Sequence, residues 1–80
     1  MPTILRKNGY HFRFFSNEGT EPCHVHVRGK DGVMKVWLPA VVVADVRGYT
    51  PKQQREILDI IRADKALLVE AWNEFFSKKK

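Results

Sequence analysis

Two periods divide the chain. From Thr3 to Val46 apolar residues tend to alternate with polar ones, and from Pro51 onward they recur every three or four positions. The first spacing belongs to strands and the second to amphipathic helices. Thr3 to Lys7 is a short β-prone run. The Asn8-Gly9 that follows suits a type I′ hairpin turn, in which both central residues need positive φ. Tyr10 to Ser16 is the returning strand. It places Tyr10, Phe12 and Phe14 on one face and His11, Arg13 and Phe15 on the other, and the purely aromatic row is the expected core. Asn17 to Pro22 reads as a polar turn and Cys23 to Arg28 as the next strand. Gly29-Lys30-Asp31-Gly32 makes a second hairpin turn. Val33 to Leu38 returns with Met34, Val36 and Leu38 on one side and Lys35 and Trp37 on the other. Pro39, which has no N–H to donate, stops the ladder. Val41 to Val46 reads as a fifth, short strand or an extended crossover.

Thr50-Pro51-Lys52-Gln53 announces a helix: Thr50 caps, Pro51 suits the first helical position, and Gln53 completes a capping box. Ile57, Leu58, Ile60 and Ile61 form its apolar stripe, which runs on through Leu67, Leu68, Ala71, Trp72, Phe75 and Phe76. One helix from Pro51 to Ser77 would be ~40 Å long. A break or kink is therefore expected near Ala63-Asp64, with Asp64 as a second N-cap. The predicted fold is α+β in one domain spanning residues 1–80. An antiparallel sheet of four to five strands occupies residues 1–46. A helical hairpin or kinked helix over residues 50–77 covers one face of it, and residues 78–80 form a basic tail.

Composition narrows the setting. The 80 residues are 44% hydrophobic and 11% aromatic, enough for a core and unlike a disordered chain. No apolar run approaches the roughly 20 residues needed to span a bilayer. The first residues lack the apolar stretch of a secretory signal, and a lone cysteine cannot form an internal disulfide. A soluble protein of a reducing cytoplasm is expected. Net charge is +5 and the pI about 9.7. Arg6, Lys7, Arg13, Arg28, Lys30 and Lys35 in the first half face few acids (Glu18, Glu21 and Asp31), a balance that favours nucleic acid or an acidic protein partner.

Glu21-Pro22-Cys23-His24-Val25-His26-Val27-Arg28 is the most informative stretch. In a strand His24, His26 and Arg28 share one face while Cys23, Val25 and Val27 share the other. The face away from the helices then collects His11, Arg13, His24, His26, Arg28, Lys35 and Trp37. As a binding surface, His11, Arg13, Arg28, Lys35 and Trp37 combine cations for phosphates with an aromatic for base stacking. As a catalytic surface, His24 and His26 are the candidate acid and base acting on an RNA 2′-hydroxyl. As a metal site, the same two histidines lie about 7 Å apart at Cα, with Glu18 or Glu21 as a third ligand for zinc or iron. Against these stands the plain reading of polar residues on a solvated sheet face with no cofactor. Cys23 points away from His24, which removes a Cys/His nucleophile, and Arg28 stands where a histidine-triad hydrolase has its third histidine. Val41-Val42-Val43 and Phe75-Phe76 are apolar excess suited to a homodimer or partner surface.

Several segments taken together carry a resemblance. They are Pro2-Thr3-Ile4, the run from Gly9-Tyr10-His11-Phe12 through Ser16-Asn17-Glu18, Glu21-Pro22-Cys23-His24-Val25-His26-Val27, Lys35-Val36-Trp37-Leu38 and Trp72-Asn73-Glu74-Phe75-Phe76. Over nearly its whole length the chain resembles the small bacterial family known as domain of unknown function 4160. The resemblance implies no established activity. It implies genetic company: members tend to lie beside another small domain, in pairs regarded as toxin–antitoxin-like. The expectation is a small cytoplasmic binding module that contacts a small protein partner encoded nearby, RNA, or both. A histidine-dependent ribonuclease or metal-dependent hydrolase is the alternative.

Overall fold

The alternating half of the chain builds a five-stranded antiparallel sheet in strictly sequential order. Its strands are β1 (Thr3–Lys7), β2 (Tyr10–Arg13), β3 (His24–Gly29), β4 (Gly32–Trp37) and β5 (Val42–Arg47). The computed structural model describes residues 3–15 and 20–77. Glu18, with the rest of the first half of the Asn17–Pro22 turn, and the Lys78–Lys80 tail lie outside the described residues. Both short hairpins close as their turn residues require. Asn8 and Gly9 adopt φ of 52° and 83°, and Lys30 and Asp31 adopt 51° and 66°, the paired positive φ of a type I′ turn. These turns set the registers Lys7↔Tyr10 and Gly29↔Gly32. The ladder slips at both outer strands. β1 carries an irregularity between Thr3 and Leu5, and β5 one opposite Lys35 and Val36, where Ala44 is the extra residue.

The core face of the sheet carries Tyr10, Phe12, Phe14, Val25, Val27, Met34, Val36 and Leu38, all buried. Against it lie α1 (Pro51–Ala63) and α2 (Lys65–Ser77), with Ile57, Ile60, Ile61, Leu68 and Trp72 turned inward. The capping box at the start of α1 is complete: the Gln53 N–H donates to Thr50 Oγ1 at 3.1 Å and the Thr50 N–H to Gln53 Oε1 at 2.9 Å. Among the described residues no helix is long and apolar enough to cross a membrane.

The helical break falls at Asp64, and it is a kink rather than a hairpin. The Asp64 N–H donates to the Ile60 carbonyl at 2.9 Å and its own carbonyl accepts from the Leu68 N–H at 3.0 Å. Four-residue bonding thus continues on both sides, and the stripe passes from Ile57 and Ile61 to Leu68 and Trp72. The Asp64 carboxylate sits within this stripe. It accepts a hydrogen bond from Lys7 Nζ at 2.7 Å, which ties the kink to β1.

Tyr10 is the polar exception on the core row. It is fully buried and its hydroxyl donates to Glu56 Oε1 at 2.8 Å on α1. Burial first, and the Glu56 carboxylate second, push its pKa up from 10.0 to about 12. A phenol harder to ionise in the folded state gives its full stabilisation below the unfolded value and loses it as pH rises toward the folded one. Denaturant midpoints should therefore fall between pH 10 and 12, and fall less in Tyr10→Phe. Identical alkaline profiles for the two proteins would show that Tyr10 is not the linked group.

Candidate functional site

The strand registers sort the polar face into lateral rows, because residues paired across antiparallel strands project to the same side. Nearest the hairpin turns runs Arg6–His11–Arg28–Val33–Arg47 across all five strands. Next comes Arg13–His26–Lys35–Asp45, and then His24–Trp37–Val42. The rows alternate with core rows such as Leu5–Phe12–Val27–Met34–Val46. His11, Arg13, Arg28, Lys35 and Trp37 thus share the face opposite the helices.

Their environments differ. Arg28 is exposed and makes no side-chain hydrogen bond or ion pair among the described residues. Lys35 is committed: its Nζ lies 3.1 Å from Glu21 Oε1 and 4.5 Å from the centre of the Trp37 ring. Arg13 is half-buried, and its Nε has no hydrogen-bond partner among the described residues. Phe15 continues β2 onto this face and lies against His26, ring centres 4.3 Å apart and tilted by 40°. A shallow cavity of ≈ 290 Å³ is bordered by Phe15, His26, Arg28, Lys35 and Asp45.

His24 requires a correction. Strand parity places it correctly beside His26 and opposite Trp37, but its ring is wholly enclosed rather than solvated. Trp72 stands 4.9 Å from it, Trp37 5.3 Å and His26 5.0 Å. Trp72 also meets Phe14 of the core face at 5.2 Å. The helix thus reaches past the end of the sheet, and one indole covers both the core edge and His24. His24 Nδ1 lies 2.9 Å from the Pro22 carbonyl. A carbonyl only accepts, so Nδ1 carries the proton in this bond. So enclosed, the ring packs the β3 entry against α2 and is closed to solvent. His26 is half-buried and borders the open cavity.

For a metal, the described residues contain no group of three or more His, Cys, Asp or Glu side chains placed to hold an ion. Glu21 turns to Lys35, and Glu18 lies outside the described residues. Cys23 packs half-buried against the core, where burial lifts its thiol to about 11 and keeps it protonated at neutral pH. Val41, Val43, Phe75 and Phe76 lean on the core. Among the described residues the exposed large apolar side chains are Val42, from the expected excess, and Leu67.

Sequence reasoning missed Arg6 and Arg47 as members of this face. For Arg6 the signal was present: Asn8-Gly9 implies Lys7↔Tyr10, which carries Arg6 opposite His11. Arg47 had none, since no tight turn fixes β5 and the extra residue at Ala44 flips its parity.

An antiparallel sheet with one helical layer and a free basic face defines a small α+β domain. The chain belongs to the family described as Domain of unknown function (DUF4160), which matches residues 9–73. That span contains every residue of the three rows except those on β1. No curated protein and no solved structure matches the chain.

Proposed function

We propose that the protein is a small cytoplasmic RNA-binding module, one member of a toxin–antitoxin-like pair, that takes single-stranded RNA on its open sheet face. The supporting observation is the company kept by Arg28: an exposed guanidinium with no side-chain hydrogen bond or ion pair among the described residues, two residues along β3 from the Phe15–His26 ring pair, at the end of the polar face away from the part that Trp72 covers. Cations supply salt-sensitive phosphate affinity. Aromatic rings on a sheet supply stacking for unpaired bases. A small protein partner encoded nearby would regulate by covering the same face. Cleavage by His24 and His26 as a pair has less support, because the His24 ring is enclosed.

Fluorescence anisotropy with a labelled single-stranded RNA tests the reading. With about three to five phosphate contacts, log affinity should fall against log salt with a slope of roughly −2 to −4. Arg28→Ala should weaken binding to all sequences alike. Absence of binding by the wild-type protein in low salt would overturn the RNA reading and leave an acidic protein partner as the occupant of the face.

A further inference from the structure

Resting on the RNA-binding reading, we infer that Arg6, Arg28 and Arg47 form a phosphate track along the hairpin end of the sheet, so that a single strand crosses the β-strands and lays its bases toward Phe15 and His26. Neighbouring strands are about 4.8 Å apart. Arginines on the first, third and fifth strands therefore recur about every 10 Å, and the row is ~19 Å wide. His11 and Val33 fill the places between them, so the row itself contains no acid.

The rows divide the work by charge. In the middle row Lys35 is paired with Glu21, Arg13 is half-buried, and Asp45 contributes a negative charge. In the end row all three arginines are exposed. The nearest acid to Arg47 is Asp45 at 3.7 Å, with side chains 79% and 57% exposed, a pairing that competes weakly with a phosphate. Arg28 and Arg47 also flank a cavity of ≈ 360 Å³ floored by Val33 and edged by Gly29, Gly32 and Gly48, with Asp31 as the one acid in its lining. The guanidinium fork suits phosphate oxygens. His26 lies two residues further along β3, about 7 Å away, with Phe15 against it. That offset suits a nucleotide whose phosphate is on the end row and whose base is on the rings.

The experiment is a salt titration of the full chain with a short labelled oligouridine. The Arg6→Gln/Arg28→Gln/Arg47→Gln variant should lose about 2 from the magnitude of the log–log slope, near 0.7 per contact. Phe15→Leu should weaken binding and keep the slope. A control that removes three exposed helical cations, Lys52→Gln/Arg55→Gln/Lys65→Gln, should also keep the wild-type slope. A track variant with the wild-type slope, or a control variant with an equal loss, would overturn the track while RNA binding stands. Failure of the wild-type protein to bind would overturn both.

Discussion

Trp72→Ala should lower stability by roughly 3–5 kcal/mol, in the range for large aromatics removed from a core. The indole is 6% exposed and meets Phe14, His24 and Phe76 at ring distances of 5.2, 4.9 and 4.2 Å. Its loss opens a void where α2 closes the end of the sheet. It also uncovers His24, so the defect spreads to the β3 entry. Domains of this size are stable by only about 5–15 kcal/mol, so the variant should approach the unfolding threshold. Urea midpoints followed by far-UV circular dichroism measure the effect. A midpoint equal to that of the wild type would mean that Trp72 is a surface residue.

Gly29→Ala should cost roughly 3 kcal/mol or more, from backbone strain added to overpacking. Gly29 has φ of 130°, a conformation open to glycine and resisted by other residues. A Cβ there would collide with the carbonyl oxygen of Gly9, which is backbone and cannot turn aside. The tip of the first hairpin is thus seated on the second, and the methyl group must part them. Thermal melts would show the loss as a lowered Tm. A Tm within a degree or so of the wild type, on the scale where 1 kcal/mol shifts a small domain by about 4–8 °C, would show that the two hairpin tips are not in close contact.

Much of the fold was legible because two tight turns carry their own geometry. Asn8-Gly9 and Gly29-Lys30-Asp31-Gly32 pin the pairings within β1–β2 and β3–β4, and from there strand parity sorts His26, Arg28, Lys35 and Trp37 onto one face. Parity is blind to what lies over a residue. His24 was placed on the correct side, yet its burial depends on where the kink at Asp64 sends Trp72, a tertiary outcome without a local signature. The same limit applies to the aromatic row. Trp72 and Phe75 meet Phe14, at 5.2 and 6.3 Å, while Tyr10 is met at the other end by Tyr49 at 5.8 Å. Tyr49 follows Gly48 out of β5, beyond the alternating run that marks the strands. Its ring fits because Gly32 beneath it has no side chain.

The ladder irregularities fall on the two outer strands, where they decide how the molecule behaves in a crowd. A flat outer strand with free N–H and C=O groups invites pairing with another chain. Here β1 has its slip between Thr3 and Leu5 and carries Arg6 and Lys7, while β5 has Ala44 out of step and carries Asp45 and Arg47. An incoming strand would meet charge and a broken spacing at either border. Both margins are therefore poor templates for a sixth strand, and the sheet is guarded against edge-to-edge aggregation by the same outer strands that contribute Arg6 and Arg47 to its open face.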